Sequence, residues 1–169
     1  MTVMTTGREM HEDAMLPSEA ELLSRARALI PMLRERADEI DLARSVPAGV
    51  IQAMRDAEFF KILQPREWGG FGYDLMPFLR VVMEIARGGS SGSAAWVLLV
   101  LGAHQGALAG MEEAAQDIWG EDNTILISSS YVPLGVCERV DGGYVISGTW
   151  PTSSGCLNAT PAPGSSQFS

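Results

Sequence analysis

A histidine in an apolar segment is the first side chain of this 169-residue sequence that could do chemistry. His104 is one of two histidines, and an imidazole can orient or deprotonate a weakly acidic hydroxyl group near neutral pH. Trp96 precedes it on the same predicted helix, so the two side chains lie about 80° apart around the axis and about 12 Å apart along it. One ligand could therefore bridge both. The plainer alternatives are a histidine bonded to a neighbouring carbonyl group and a tryptophan in the core.

Two runs of serine supply neutral hydroxyl groups. One occupies residues 128–130, at the end of a predicted strand, and the other consists of Ser153 and Ser154. Hydroxyl groups hydrogen-bond a ligand without adding charge. Pro151 and Gly155 flank the second run and favour a tight bend that presents its hydroxyl groups and backbone amides. Solvated turns without a ligand are the alternative for both runs.

Composition and charge narrow the classes of partner. A formal net charge of −9 disfavours nucleic acids and anionic membranes, and the proportions of hydrophobic (46%) and charged (20%) residues are those of a globular protein. Cys137 and Cys156 lack the spacing of a metal site and fit a reducing cytoplasm. The sequence shows no signal peptide, membrane span, nucleotide-binding fingerprint or nucleophile elbow. A small-molecule or protein partner and no metal site are therefore predicted.

Helical patterns predominate up to about residue 120. A capping box at residues 18–21 starts a helix that reaches about residue 43, with a kink or split at Pro31. Pro47 begins a second helix and Asp74 caps a third. Glycine and serine interrupt the pattern at 88–93. Residues 93–109 are apolar nearly all round and predict a buried central helix, and a shorter helix follows over 112–119.

The pattern changes to β-structure after residue 123. Residues 124–128 and 136–140 predict strands, and the second strand is joined by a hairpin turn at 141–143 to a third over 144–147. We therefore predict a mainly α fold, in which a helical domain is followed by the first strands of an incomplete β-domain. The predicted divisions are a flexible leader (1–17), the helical domain (18–120), the start of the β-domain (121–156) and an aberrant, disordered tail (157–169).

Five short motifs occur in an order that resembles one family. They are Gln-Pro-Arg-Glu-Trp-Gly-Gly at 64–70, Glu-Ile-Ala-Arg-Gly at 84–88, Ala-Ala-Trp-Val at 94–97, Ile-Ser-Ser-Ser at 127–130 and Gly-Thr-Trp-Pro-Thr-Ser-Ser-Gly-Cys at 148–156. As a set they resemble the N-terminal part of the acyl-CoA dehydrogenase superfamily. The nearest resemblance is to its flavin-dependent aromatic monooxygenase branch, which includes the oxygenase component of 4-hydroxyphenylacetate 3-hydroxylase.

The resemblance implies an architecture and an activity. The architecture is an acyl-CoA dehydrogenase-like helical N-terminal domain, a central β-domain and a C-terminal four-helix bundle, with flavin between the sheet and the bundle. Reduced flavin, either FMN or FAD, would come from a separate flavin reductase. Its C4a-hydroperoxide, formed with O₂, would hydroxylate a phenolic small molecule. The resemblance also implies a homotetramer.

The resemblance assigns roles to individual residues as well. Trp96 would line the pocket for flavin and the aromatic substrate, and His104, as the catalytic residue, would contact the phenol oxygen. Ser130 would bind flavin or substrate, while Ser153 or Ser154 would hydrogen-bond near flavin N5. A hydroperoxide needs a dry pocket with neutral donors, because water or a loose proton discharges it.

The sequence leaves two alternatives to this activity. Acyl-CoA dehydrogenases proper carry an acidic residue, a proline and a Gly-Ser-Asp run after the first strand, whereas residues 130–135 read Ser-Tyr-Val-Pro-Leu-Gly, which favours the monooxygenase branch. Residues 157–169 depart from the branch and contain two prolines, which cannot continue a central strand. A truncated or frame-shifted product, inactive by itself, is therefore expected. A non-catalytic remnant or interaction module is the second alternative.

Overall fold

The computed structural model describes residues 16–88 and 92–160 of the chain. The described residues are mainly helical, with two short 3₁₀ turns and one two-stranded sheet, which confirms the predicted fold class. The helices are α1 (Glu19–Glu35), α2 (Ala37–Ala43), α3 (Ala48–Asp56), α4 (Leu75–Ala86), α5 (Gly92–Ala107) and α6 (Glu112–Trp119). The 3₁₀ turns are Phe59–Lys61 and Arg66–Trp68, and the strands are β1 (Val136–Val140) and β2 (Gly143–Ser147).

The predicted capping box starts α1. The Ser18 hydroxyl oxygen accepts a hydrogen bond from the backbone N–H of Glu21 (3.3 Å), and the Glu21 carboxylate accepts one from the backbone N–H of Ser18 (2.6 Å). The sequence predicts a kink or a split at Pro31; the split is absent there, because α1 continues through Pro31 and the interruption falls at Arg36. Proline removes one backbone donor, whereas the packing of α1 on α4 holds the helix together across that gap.

Helix α5 lies against α4 in the core. A Cβ atom on Gly102 would be 2.5 Å from Cζ of the fully buried Phe78, so the contact between the two helices requires glycine at this position. The side of α5 that carries Leu98 and Leu101 is buried. The prediction of a helix buried nearly all round is wrong on one side, because Trp96 is 55% exposed.

A second, smaller apolar cluster connects α6 to the loops on either side of it. Trp119 packs against Trp68 with ring centroids 6.2 Å apart, and its indole N–H donates to the carbonyl oxygen of Ile125 (3.1 Å). The buried Gln64 amide donates to the carbonyl oxygens of Trp68 (3.0 Å) and Asn123 (2.9 Å). These bonds fix the start of the segment that leads from α6 to the sheet.

That segment has no regular secondary structure over residues 125–130, so the predicted strand at 124–128 is absent. Leu126 exchanges hydrogen bonds with Thr160, donating to its hydroxyl oxygen (3.0 Å) and accepting from its backbone N–H (2.8 Å). A strand requires a ladder of such pairs along a neighbouring strand. Among the described residues Leu126 has this single pairing, so the apolar run at 125–127 does not become a strand.

The predicted hairpin is present. Strands β1 and β2 are antiparallel, with Glu138 opposite Val145, and Gly142 in the connecting turn has a φ of 82°. Glycine adopts this left-handed conformation without the steric strain of other residues. All residues of both strands are exposed.

The described residues of the predicted leader and tail contact the helical domain. Leu16 packs against the core and the Pro17 carbonyl oxygen accepts a hydrogen bond from the Tyr73 hydroxyl (2.8 Å). Asn158 donates to the carbonyl oxygen of Val46 (2.9 Å). These contacts place residues 16–17 and 158–160 against the folded part of the chain. Three ranges lie outside the described residues: 1–15 of the predicted leader, 89–91 of the predicted interruption and 161–169 of the predicted tail.

Candidate active site

His104 lies in the last turns of α5 and is 5% exposed. Its Nδ1 atom is 2.5 Å from the carbonyl oxygen of Val100, one helical turn earlier, and its Nε2 atom is 2.7 Å from the hydroxyl oxygen of Ser129. A carbonyl oxygen only accepts hydrogen bonds, so Nδ1 carries the proton. In the neutral ring Nε2 therefore accepts a hydrogen bond from the Ser129 hydroxyl group. The helix backbone fixes the tautomer and leaves Nε2 as the basic atom.

Tyr131 covers the imidazole ring on its outer side. The two rings are stacked, with centroids 5.4 Å apart and planes inclined by 14°, while Tyr131 itself is 80% exposed. Ser129 is also exposed. The buried imidazole thus contacts two exposed residues, of which Ser129 is hydrogen-bonded to it and can pass on a proton.

Ser129 and Tyr131 were not predicted as site residues. The sequence pattern contained a signal for them, because side chains two positions apart in an extended segment point to the same side. If one of residues 128–131 faces α5, the residue two positions away is expected to face α5 as well. The resemblance pointed instead to Ser130, whose hydroxyl oxygen accepts a hydrogen bond from the backbone N–H of Val132 (3.4 Å). In the described conformation Ser129, rather than Ser130, bonds to His104.

The turn that carries Ser153 and Ser154 comes to the same side of α5. The Ser153 hydroxyl oxygen is 3.4 Å from that of Ser128. Gly155, with a φ of 85°, would place a Cβ atom 2.7 Å from Leu101 Cδ2, so the turn rests directly on the helix. The structure thus brings Ser128, Ser153 and the Ser129–His104 pair onto neighbouring parts of one surface, and Ser154 lies half-buried in that turn.

Trp96 is on α5, two turns before His104, with more than half of its surface open. The alternative that placed this tryptophan in the core is wrong, because the inward positions of α5 are taken by small and aliphatic residues such as Ala95 and Leu98. An exposed indole face and a row of hydroxyl groups could contact a large planar ligand. The described residues therefore offer one wall of such a site.

The surroundings of His104 are uncharged. Its contacts are a carbonyl group, a hydroxyl group and a phenol ring. The described parts of the chain contain no group of three or more histidine, cysteine, aspartate or glutamate side chains placed to hold a metal ion. The chemistry available at this surface is proton transfer and hydrogen bonding next to aromatic rings. These groups fit the ring system of a flavin, which is planar and is bound through stacking and neutral hydrogen bonds.

Residues 17–119 match the family described as acyl-CoA dehydrogenase, N-terminal domain. The match covers more than half of the chain, and the chain belongs to this family. Its motifs had predicted this membership.

The relatives within this family are oxygenases that depend on flavin. The oxygenase subunit HsaA of a flavin-dependent monooxygenase from Rhodococcus jostii is 42% identical over 82% of this chain and 36% of its own length. The oxygenase component of an FADH₂-dependent resorcinol hydroxylase from a Rhizobium species is 37% identical over 82% of this chain and 34% of its own length. The chain thus spans about a third of the length of the curated relatives it matches.

A solved structure shows the same fold. The crystal structure of 3-HSA hydroxylase from Rhodococcus sp. RHA1 superposes with a TM-score of 0.77 and 42% sequence identity, over 82% of this chain and 36% of that one. The similarity covers a larger share of the chain than the residues matched by the family.

Proposed function

We propose that this chain is the N-terminal portion of the oxygenase component of a two-component flavin-dependent monooxygenase that hydroxylates a phenolic substrate. The observation that carries the proposal is the 42% identity to such an oxygenase subunit over 82% of the chain. The buried His104, hydrogen-bonded to the exposed Ser129 and stacked on Tyr131, supports it, because an imidazole there is a base next to an aromatic ring. The reaction needs reduced flavin, so a flavin reductase is the expected partner.

The proton path follows from the tautomer of His104. A phenol hydroxyl group bound at the exposed Ser129 donates its hydrogen bond to the Ser129 oxygen, and the Ser129 hydroxyl group donates to Nε2 of His104. Proton transfer through Ser129 leaves a phenolate and an imidazolium ion. The Nδ1–H group of this imidazolium keeps its hydrogen bond to the carbonyl oxygen of Val100. The ring carbon next to the C–O carbon is more nucleophilic in a phenolate than in a phenol. His104 thus acts as the base, and Ser129 carries the proton to it.

The other site residues hold the reactants. Trp96 would stack against the flavin or the substrate ring, Ser153 or Ser154 would hydrogen-bond the flavin, and Ser130 would contact flavin or substrate. The bound reduced flavin supplies the oxygen-activating chemistry. The exposed free thiols of Cys137 and Cys156 suit a reducing compartment, which supports a cytoplasmic location.

A chimeric enzyme tests the proposal. Residues 16–156 replace the matching segment of the Rhizobium resorcinol hydroxylase oxygenase component, and the chimera is supplied with flavin, a flavin reductase, NADH, O₂ and either resorcinol or phenol. We expect the chimera to bind reduced flavin and to form a product heavier by one oxygen atom. The intact relative is the positive control.

The His104→Gln variant of the chimera distinguishes flavin binding from proton transfer during hydroxylation. We expect it to retain flavin binding and to lose at least about 100-fold in hydroxylation rate, the usual contribution of a general base. A chimera that binds flavin, oxidises butyryl-CoA in the presence of an electron acceptor and hydroxylates neither phenol would favour acyl-CoA dehydrogenation and contradict the proposal.

A further inference from the structure

Thr160 pairs with the segment that carries Ser129. Its backbone N–H donates to the carbonyl oxygen of Leu126 (2.8 Å), and its hydroxyl oxygen accepts a hydrogen bond from the Leu126 backbone N–H (3.0 Å). Leu126 is 2% exposed and lies three residues before Ser129. Because residues 125–130 have no regular secondary structure, no ladder between strands fixes this backbone. The two hydrogen bonds to Thr160 hold it instead.

Arg55, in the last turn of α3, joins this pair to the helical part of the chain. Its guanidinium donates to the same Thr160 hydroxyl oxygen (3.4 Å) and to the Thr124 carbonyl oxygen (2.7 Å). Two residues before Thr160, the Asn158 side chain donates to the carbonyl oxygen of the buried Val46 (2.9 Å), which lies just before α3. Hydrogen bonds therefore join Thr160 both to α3 and to the segment after α6.

The same stretch of chain reaches the candidate site at its other end. The Ser153 hydroxyl oxygen is 3.4 Å from that of Ser128, and Gly155 packs on Leu101 of α5. A turn connects the two ends, in which the Asn158 backbone N–H donates to the Gly155 carbonyl oxygen (2.9 Å). This stretch thus contacts α3, α5 and the segment after α6.

We propose that Thr160 is a positioning residue for the hydrogen bond between Ser129 and His104. Ser129 is exposed, so its hydroxyl group stays 2.7 Å from Nε2 of His104 only while the backbone before it is held in place. The Thr160 hydroxyl oxygen holds that backbone, because it accepts hydrogen bonds from both Leu126 and Arg55. This inference rests on the proposed function for the role of His104 as a base, and it adds the residue that keeps the proton carrier within reach of that base.

Variants of Thr160 test this role in the 169-residue chain, without flavin or substrate. Thr160→Val keeps the shape of the side chain and removes the hydroxyl oxygen, whereas Thr160→Ser keeps that oxygen. In the His11→Gln background, the ¹⁵N shift of His104 Nε2 reports the hydrogen bond from Ser129. We expect Thr160→Val to move this shift towards that of an unbonded nitrogen by at least about half of the change that Ser129→Ala causes. Thr160→Ser should keep the shift of the unsubstituted chain.

Hydrogen exchange and a matched control separate positioning from a general loss of stability. The Leu126 N–H loses its acceptor in Thr160→Val, so its exchange should become at least about tenfold faster. Thr149→Val makes the same change at an exposed position and should alter neither the exchange nor the Nε2 shift. An unchanged Nε2 shift in Thr160→Val, even with a lower melting temperature, would show that Thr160 serves only the fold and would overturn the proposal. An equal displacement in Thr160→Ser would overturn it as well, because that variant keeps the hydroxyl oxygen.

Arg55→Met tests the connection from the side of α3. It removes the donors to Thr124 and Thr160 and leaves the two hydrogen bonds between Leu126 and Thr160. We expect the Nε2 shift of His104 to move in the same direction as in Thr160→Val, and an unchanged shift would overturn the connection through Arg55. A chimera without hydroxylase activity would contradict the proposed function and leave these shifts as they are, so the two failures are distinguishable.

Discussion

The choice between Ser129 and Ser130 depends on which side of residues 128–131 faces α5. In a strand, a shift of one residue moves every side chain to the opposite side. The contact of Tyr131 with His104 agrees with Ser129 as the facing residue, because the two positions share a side. At the scale of single residues, the hydrogen-bonding state of His104 is therefore the most direct readout of how the segment is placed.

The imidazole tautomer can be measured in the chain itself. In ¹H–¹⁵N correlation spectra of neutral His104, we expect Nδ1 to carry the proton and Nε2 to have the shift of a hydrogen-bonded acceptor. Ser129→Ala should keep the tautomer, move the Nε2 signal towards that of an unbonded nitrogen and destabilise the chain by about 1 kcal/mol, the usual contribution of one hydrogen bond. Ser130→Ala is the control and should leave Nε2 unchanged. His11→Gln removes the other histidine signal. A neutral ring protonated at Nε2 would contradict this arrangement.

One exposed and one buried tryptophan allow the contributions of their side chains to stability to be compared. Trp96 is 55% exposed, whereas Trp119 is 2% exposed and donates to the Ile125 carbonyl oxygen. We expect Trp96→Phe to change the free energy of unfolding by less than about 0.5 kcal/mol. Trp119→Phe should lower it by about 1–3 kcal/mol, because it removes the hydrogen bond and leaves unfilled volume. Urea unfolding followed by circular dichroism measures both. Equal effects of the two substitutions would show that the indole of Trp96 contributes to the core and does not form a ligand-facing wall.

At the scale of elements, Gly102 sets the distance between α5 and α4. We expect Gly102→Ala to destabilise the chain by about 1–3 kcal/mol, because its methyl group would overlap the Phe78 ring and the buried ring has little room to move. Gly92→Ala is the matched control, since a Cβ atom there meets nothing within 4 Å. That change should be neutral or stabilising by up to about 1 kcal/mol. Thermal unfolding of both variants gives the comparison, and equal stability would contradict the close approach.

The sequence predicted helices better than the segments that connect the site to them. The Ser18 capping box and the bounds of α6 follow from local chemistry within a few residues, so they could be derived without a partner element. Residues 124–128 have a strand-like composition, but a strand depends on a neighbour that composition does not reveal. Trp96 was open to a core interpretation for the same reason. The partners of His104 could not be derived either, because they lie 25 and 27 residues further along the chain.

At the scale of the whole molecule, the residues left exposed differ between the two parts of the chain. The helical part has a buried apolar core and exposes only some large apolar side chains, such as Leu42, Met83 and Trp96. The hairpin has no buried residue and exposes Val136, Tyr144 and Ile146 to solvent. Exposed apolar patches are typical of surfaces that bind proteins, membranes or ligands, and they also favour aggregation. Net charge opposes self-association of these surfaces at neutral pH, because each copy carries a formal charge of −9. Acidification removes this charge and also acts on the carboxylates that the fold holds ionised.

The stability of the whole chain should therefore fall as the pH drops below about 5. Hydrogen bonds from Ser18 lower the pKa of Glu21, and hydrogen bonds from Thr124 lower that of Asp122. Burial raises the pKa of Glu58, but the hydrogen bonds and charges of Arg25 and Lys61 outweigh it, so its pKa is lowered as well.

Because these pKa values are lower in the folded state, the unfolded chain binds more protons on acidification. The stabilisation is thus complete above the ordinary carboxyl values of about 4 and is lost as the pH falls through the folded-state values. Urea unfolding from pH 7 to about pH 3 measures the change. Glu58→Gln should lower the free energy of unfolding at pH 7 by at most about 1 kcal/mol, since the ion pairs of Glu58 are partly exposed. It should also reduce the loss of stability between pH 7 and about pH 3. Glu138→Gln, in the exposed hairpin, should alter neither. An unchanged acid dependence in Glu58→Gln would show that the ion pairs around Glu58 do not contribute to the folded state.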